Sequence, residues 1–234
     1  MKVSSRACLQ VFFLLFPIGV SAQLPKKPYS QWSEKEALNV LNNSPWGQTQ
    51  TVTDTSTMFG ALAARRGPTG EQEVPKTNFR IRFFSAKPIR QAISRLVEIK
   101  RKGEMNPQLV GQLKALAAAD FPDYIIITVL TDSTESGTQM GTAATLLDTL
   151  TSPELKNATY LSVGGQRLFL QEYQPPRKDG LGARFVFPRM VDGKPFISLD
   201  SGEVLFHSEF SRANVVLSMR FKVKDMVFDG KLEY

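Results

Sequence analysis

The chain has 234 residues, with 29 basic and 22 acidic side chains, a net charge of +7, one histidine and one cysteine. Zinc sites draw most of their ligands from histidine and cysteine, so this composition argues against a zinc centre and predicts no metal site. A chain of this length can bury one large core, so we expect a globular domain that needs no disulfide framework.

The first residues have the pattern of a secretory leader. Lys2 and Arg6 give a positive start, Ala7 to Val20 form an apolar stretch, and Val20-Ser21-Ala22 ends in the small residues typical of a cleavage site. We therefore predict a signal peptide over residues 1–22, cleavage near Ala22, and an exported chain in the periplasm or outside the cell. The apolar stretch is shorter than the roughly 20 residues that span a bilayer, and no transmembrane segment is predicted in the mature chain.

Loss of the leader would change the composition of the chain. Lys2, Arg6 and Cys8 would leave with it, so the mature chain would lack cysteine and keep 27 basic residues against 22 acidic ones. This mildly basic balance favours anionic surfaces, such as cell-envelope polymers or lipid headgroups. The basic runs at 65–66 and 100–102 are short and lack interleaved aromatic residues, which argues against a nucleic-acid partner.

The first predicted helix follows the capping-box pattern Ser33-Glu34-Lys35-Glu36 and ends at Asn42-Asn43-Ser44-Pro45. Trp32 and Trp46 bracket it and are predicted to anchor it in the core. A strand is predicted at 48–53, where β-branched residues alternate. The stretch from Thr55 to Lys76 is typical of a long loop, and one hypothesis is that it contacts a partner.

The next strand and helix are predicted from two periodic patterns. Phe79, Ile81 and Phe83 alternate with Arg80 and Arg82, which predicts a strand with one face in the core and a basic face in solvent. Pro88 then opens a helix with an apolar stripe on one side, and on its other side we expect a pair between Glu98 and Lys102. The stripe comprises Ile89, Ala92, Ile93, Leu96 and Val97.

A second helix and a buried strand are predicted next. Asn106-Pro107 opens the helix, and Phe121-Pro122 ends it. The continuous apolar run from Tyr124 to Leu130 predicts a strand buried on both faces, central in a sheet and covered by helices. After a polar loop from Thr131 to Thr138, apolar spacing predicts a helix from Met140 to Leu150.

The remainder of the chain predicts strands and turns. The predicted strands are Tyr160–Val163, Arg167–Tyr173, Arg184–Phe187, Glu203–Phe206, Asn214–Val223 and Met226–Leu232. The expected fold class is α+β, with helices packed on a sheet around a buried central strand and followed by an all-β meander. We expect one domain over residues 23–234, rich in helix at 33–150 and rich in strand at 159–234.

One candidate ligand site is the polar loop after the buried strand, with Asp132, Ser133, Thr134 and Glu135. Ligands bind at this end of a strand in open α/β sheets whose strands are parallel. The alternative is that these side chains bond their own backbone and cap the next helix. The nearby glycines lack the spacing and the lysine of a phosphate-binding loop, so no cofactor is predicted.

The catalytic inventory is sparse. His207 continues a strand and is predicted to be structural, and no G-x-S-x-G elbow accompanies it. The enzyme class most compatible with these residues is a hydrolase that uses paired carboxylates. Its candidate acids flank the buried strand, and only those at the same end can meet, since the two ends are about 25 Å apart. These acids are Asp120 and Asp123 at one end, with Asp132 and Glu135 at the other.

Several short motifs resemble a group of uncharacterised exported bacterial proteins. They are Trp32-Ser33-x-x-Glu36, Ser44-Pro45-Trp46, Phe185-Val186-Phe187-Pro188-Arg189, Asp192-Gly193-Lys194-Pro195-Phe196 and Arg220-Phe221-Lys222-Val223. The resemblance implies a bacterial envelope or secreted setting and supplies no activity and no functional residue.

The leading hypothesis is therefore an exported, non-catalytic binding or interaction protein. Its partner would be an envelope protein, a polymer or a small ligand, bound by the loop at 55–76 or the loop at 132–138. The paired-carboxylate hydrolase is the alternative. A third hypothesis is an outer-membrane barrel, because residues 226–234 alternate like a final barrel strand, although the amphipathic helices of the first half have no place in one.

Overall fold

The structure is a computed structural model that describes residues 24–53, 76–133 and 146–234. The α-helices that lie wholly within these ranges and flank the strands are α1 (Glu34–Asn42), α2 (Lys87–Lys100), α3 (Pro107–Ala118) and α4 (Ser152–Leu155), and residues 146–149 are helical as well. The longer strands are β1 (Gly47–Thr53), β2 (Lys76–Phe83), β3 (Tyr124–Ser133), β4 (Thr159–Val163), β5 (Gln166–Phe169), β6 (Glu172–Gln174), β7 (Ala183–Pro188), β10 (Glu203–Phe210) and β11 (Val215–Lys222). Two-residue strands form the hairpins β8 (Met190–Val191) with β9 (Lys194–Pro195), and β12 (Val227–Phe228) with β13 (Lys231–Leu232).

The longer strands of the described residues form two antiparallel sheets. The first has the order β1-β2-β3-β7-β6, and the second has the order β11-β10-β4-β5. The longer helices precede β3 in the chain, and strands dominate after it. The predicted α+β fold class is confirmed.

Aromatic side chains join the two sheets. Phe83 of β2 meets Phe221 of β11 edge to face, with ring centroids 4.9 Å apart. Phe185 of β7 meets Phe206 of β10 in the same way at 5.5 Å. All four side chains are fully buried, and each such pair contributes about 0.5–1.5 kcal/mol beyond the burial of its area. One layer of the core therefore lies between the sheets.

The other face of the first sheet carries α1, and here the prediction of a solvent-facing basic side was wrong at Arg82. Its side chain points away from the second sheet because it alternates with Phe83, yet it is only 4% exposed. Its Nε donates to the carbonyl of Leu41 at 3.1 Å, and its Nη2 donates to the Asn42 side chain at 2.8 Å. The last carbonyls of a helix lack intrahelical donors, and this arginine supplies one for the Leu41 carbonyl of α1.

The predicted starts of α1 and α3 are confirmed. Glu36 accepts a hydrogen bond from the Ser33 amide at 2.7 Å, and the Ser33 hydroxyl accepts from the Glu36 amide at 3.3 Å. The Asn106 side chain caps α3 by accepting from the Leu109 amide at 2.8 Å. Trp32 and Trp46 are each 1% exposed and belong to the core.

The predicted pair on the second helix was wrong. Glu98 pairs with Arg95 at 3.2 Å, and α2 ends at Lys100, so Lys102 lies beyond the helix. The predicted i,i+4 spacing brings two side chains together only while the helix continues.

The buried strand is longer than predicted. β3 runs to Ser133 and is the middle strand of the first sheet. Ile125, Ile127 and Val129 are fully buried toward the second sheet, whereas the alternate positions range from the buried Thr128 to the 42% exposed Tyr124. Of the helix predicted from Met140 to Leu150, residues 146–149 are helical and the first half lies outside the described residues.

Two predicted strands are each divided in the structure. The stretch Arg167–Tyr173 becomes β5 in the second sheet and β6 in the first, because the chain changes sheets between Phe169 and Glu172. The stretch Met226–Leu232 becomes the β12–β13 hairpin around Asp229 and Gly230, which have φ values of 50° and 74°. Asp-Gly with two positive φ values is the turn that a two-residue hairpin requires.

The last described residues are bound into the fold. The Glu233 carboxylate accepts from the Lys87 amide at 3.0 Å, at the start of α2, and its main-chain carbonyl accepts from the Trp46 indole at 2.7 Å. The guanidinium of Arg189 lies 4.2 Å from the centre of the Tyr234 ring. A carboxylate at a helix N-terminus is favourable, so this segment fastens α2 to the rest of the domain.

Candidate binding surface

The structure describes part of the predicted ligand loop. Asp132 and Ser133 are the last residues of β3, while Thr134 and Glu135 lie outside the described residues. Both neighbours of β3 run antiparallel to it. The rule for ligand sites at the ends of parallel strands therefore does not apply to β3, and binding by this loop stays a prediction. The same holds for the loop after Thr55, which lies outside the described residues up to the start of β2.

A different group of polar and aromatic side chains lies on the second sheet, on the face away from the core. We call Tyr160 of β4, Arg167 and Phe169 of β5, and His207 of β10 the outer-face cluster. Side chains alternate between the faces of a strand, and the neighbours of these four residues point inward. The buried neighbours include Thr159, Leu161, Leu168, Phe206 and Ser208.

Tyr160 is the centre of the cluster. It lies directly opposite His207 on one side and Phe169 on the other. The His207 ring stacks on it with centroids 4.8 Å apart and planes 25° apart. The Arg167 guanidinium lies 4.4 Å from the ring centre, and Phe169 meets it edge to face at 5.9 Å. Tyr160 thereby contacts all three other members of the cluster.

Arg167 is the permanent positive charge of the cluster. It is exposed and forms no salt bridge with a described acid. Burial lowers the pKa of His207, Glu209 opposes this effect, and Arg167 adds to it. Burial therefore favours the neutral form of the His207 ring.

The sequence contains a partial signal for this surface. Gly164-Gly165 between two alternating segments predicts the β4–β5 hairpin, whose two glycines have φ values of 55° and 86°. That pattern brings Tyr160 beside Phe169. His207 joins them only because β10 pairs with β4 across a long stretch of chain, which no local pattern indicates.

The described carboxylates with shifted pKa values hold structural contacts. Hydrogen bonds from the Ser33 amide, Lys27 and the Ser33 hydroxyl lower the pKa of Glu36 to about 2. Thr151 and Arg212 lower the pKa of Glu154. A carboxyl that serves as general acid needs a raised pKa, so these two are unsuited to that role.

The acids proposed for a hydrolase are incompletely described. Asp120 and Asp123 are exposed before the start of β3. Nothing is described for the side chain of Asp132 or for Glu135, so the paired-carboxylate hypothesis stays a prediction for that end of the strand. Among the described residues, no three histidine, cysteine or acidic side chains are grouped to hold a metal ion.

No helix in the described part of the chain is long and apolar enough to span a membrane. Comparison of the protein with models of known families, with curated proteins and with solved structures finds no match. Inferences about function therefore depend on the geometry of the outer-face cluster.

Proposed function

We propose that the protein is an exported, non-catalytic binding protein of the bacterial envelope or the extracellular space. Its leader would be removed near Ala22, and the outer-face cluster would bind an anionic envelope polymer. The excess of basic over acidic residues supports this ligand class, because it raises the local concentration of polyanions.

The proposal rests on one observation, that the exposed guanidinium of Arg167 and the exposed ring of Phe169 lie side by side. Arg167 has no acidic partner among the described residues, and its guanidinium is held in place against Tyr160. Phe169 beside it is 45% exposed. A guanidinium binds carboxylate or phosphate groups with two hydrogen bonds, and an exposed aromatic face provides apolar contact for a ring in the same ligand.

The direct test is binding of residues 23–234 to insoluble envelope polymers in a sedimentation assay. Wild type should sediment with polymers that carry carboxylate or phosphate groups and should stay in the supernatant when the polymer is neutral. Arg167→Ala should reduce the affinity at least about tenfold, as expected for loss of a charge-assisted bidentate contact. Lys100→Ala is the matched control, since it removes an exposed positive charge at the end of α2 and should have no comparable effect.

Two results would contradict the proposed site. Equal affinity of wild type and Arg167→Ala would exclude the cluster as the anion contact. Loss of binding in Asp132→Ala or Glu135→Ala, with Arg167→Ala unaffected, would move the site to the loop after β3.

Export is tested separately. Expression of the full chain in a bacterial host should yield a species that begins at Gln23 and is released by osmotic shock, as intact mass and fractionation would show. An uncleaved chain that stays in the cytoplasm would contradict the proposed setting.

A further inference from the structure

The edge strand β11 of the second sheet is closed by side chains from β1. Gln50 Nε2 donates to the carbonyl of Val216 at 2.8 Å, and Gln50 Oε1 accepts from the Ser218 amide at 2.8 Å. Gln48 Nε2 donates to the carbonyl of Arg220 at 3.1 Å. These side-chain amides form hydrogen bonds with main-chain groups that would otherwise be available to another strand.

The edge strand β6 of the first sheet is closed in a similar way. The Ser152 hydroxyl of α4 accepts from the Tyr173 amide at 2.9 Å and donates to the Tyr173 carbonyl at 3.3 Å. One hydroxyl therefore satisfies both groups that this residue directs away from its sheet.

The edge strand β5 has no such closure among the described residues. The Leu170 amide donates to the Thr159 carbonyl at 3.0 Å, and alternation along an antiparallel pair then directs the main-chain groups of Arg167 and Phe169 away from β4. No hydrogen bond from the described residues reaches these outward groups. β5 is therefore an edge that a further strand can extend.

We infer that β5 pairs antiparallel with β5 of a second copy of this chain, with Arg167 opposite the partner's Phe169. In this register, Arg167 and Phe169 of each copy both pair with a residue of the other copy. The two pairs together give about four inter-chain hydrogen bonds. It also places each guanidinium next to an aromatic ring, a favourable cation–π pair. Registers displaced by two residues place Arg167 opposite the partner's Arg167 or Phe169 opposite the partner's Phe169, and each pairs only half of the outward groups.

The self-complementary edge is what favours a second copy over a foreign strand. A twofold axis exchanges Arg167 and Phe169 between the two chains, so one short sequence provides both halves of the contact. Because β5 has only four residues, the contact is smaller than the roughly 1,200 Å² typical of stable complexes, and the association is transient. It does not depend on polymer binding, although it would place two outer-face clusters on one continuous sheet.

Sedimentation velocity of residues 23–234 without any polymer tests the pairing, over protein concentrations from about 10 μM to about 1 mM, the range of transient contacts. Wild type should show a monomer–dimer equilibrium. Phe169→Arg should raise the dissociation constant at least about tenfold, because two arginines then face each other across the contact. Phe169→Glu should retain the dimer, because it places a carboxylate opposite the partner's Arg167. Val216→Arg, an exposed position on β11, is the control and should leave the equilibrium unchanged.

A second variant removes the edge itself. Arg167→Pro deletes an outward amide and leaves the bonds between β4 and β5 intact, so it should abolish the dimer while circular dichroism shows an unchanged fold. A wild type that stays monomeric throughout would overturn the inference, and so would Phe169→Arg and Phe169→Glu variants that dimerise equally. Polymer binding in the sedimentation assay is read out independently of either result.

Discussion

Replacement of Arg90 by methionine should destabilise the fold by about 3 kcal/mol. This arginine of α2 is 2% exposed, and burial lowers its pKa. Its Nη1 donates to the carbonyls of Phe84 and Ser85, its Nη2 donates to the carbonyl of Ala119 after α3, and its guanidinium lies 5.2 Å from the ring centre of Phe121. One side chain therefore joins the end of β2 to the end of α3.

The magnitude follows from what the methionine leaves behind. The carbonyls of Ser85 and Ala119 lose their donor, at about 1–3 kcal/mol for each buried group without a partner, and the contact with Phe121 contributes about 1 kcal/mol more. Removing a buried charge is favourable and offsets part of this loss. Removing the Nε of Arg90 offsets a further part, because this atom has no acceptor in the described part of the chain. The result is a substantial fraction of the 5–15 kcal/mol that stabilises a typical domain.

Urea unfolding of wild type, Arg90→Met and Arg90→Lys would measure this loss of unfolding free energy. The dependence of that free energy on urea concentration should be the same for all three proteins. The lysine variant keeps a charge but lacks the fork that reaches several carbonyls, so it should lie between wild type and Arg90→Met. A loss below about 1 kcal/mol in Arg90→Met would refute the view that these carbonyls depend on the guanidinium.

Smaller perturbations test other contacts. Gly47→Ala should destabilise the fold, since a Cβ would lie 2.2 Å from a carbonyl oxygen of α1, whereas Gly111→Ala, with nothing within 4 Å, should stabilise α3 by about 0.5–1 kcal/mol. Equal urea midpoints for the two variants would contradict the packing of α1 on β1. Cap hydrogen bonds and Lys27 lower the pKa of Glu36 from 4.5 to about 2, so its carboxylate adds stability above pH 4.5 that is lost as the pH falls toward 2. Glu36→Gln should lack this part of the acid transition in thermal melts, and an unchanged acid limb would argue against it. Gln50→Ala should open the β11 edge, cost about 1 kcal/mol and increase light scattering, and unchanged scattering would show that the edge is protected otherwise.

Local signals in the sequence predicted the starts of α1 and α3 correctly. The capping box at Ser33 and the Asn106 cap depend on residues within three positions of each other, so their geometry is contained in the local sequence. The turn at Gly164-Gly165 between β4 and β5 is equally local. The turn at Asp229-Gly230 is local as well, but it was missed because the whole stretch Met226–Leu232 alternates like one strand.

Several of the failures have a long-range cause. Arg82 alternates with apolar residues like a solvent-facing side chain, and it is buried because α1, about 40 residues away, presents the Leu41 carbonyl and the Asn42 side chain there. The segment Arg167–Tyr173 has the composition of one strand, and only its pairing with β4 and β7 divides it between two sheets. His207 likewise acquires its aromatic partner through the pairing of β10 with β4.

The difference among the strand edges connects the outer-face cluster to the association of the chain. Side-chain amides and hydroxyls close β11 and β6 at the cost of ordering Gln50, Gln48 and Ser152. β5 lacks such a closure among the described residues, and it is also the strand that carries Arg167 and Phe169. Two copies joined at β5 would present two guanidinium groups on one face, and a polyanion that contacts both would dissociate more slowly than from a single copy. Weak pairing at the edge and weak binding at the cluster would therefore reinforce each other on a polymer, although neither contact is large.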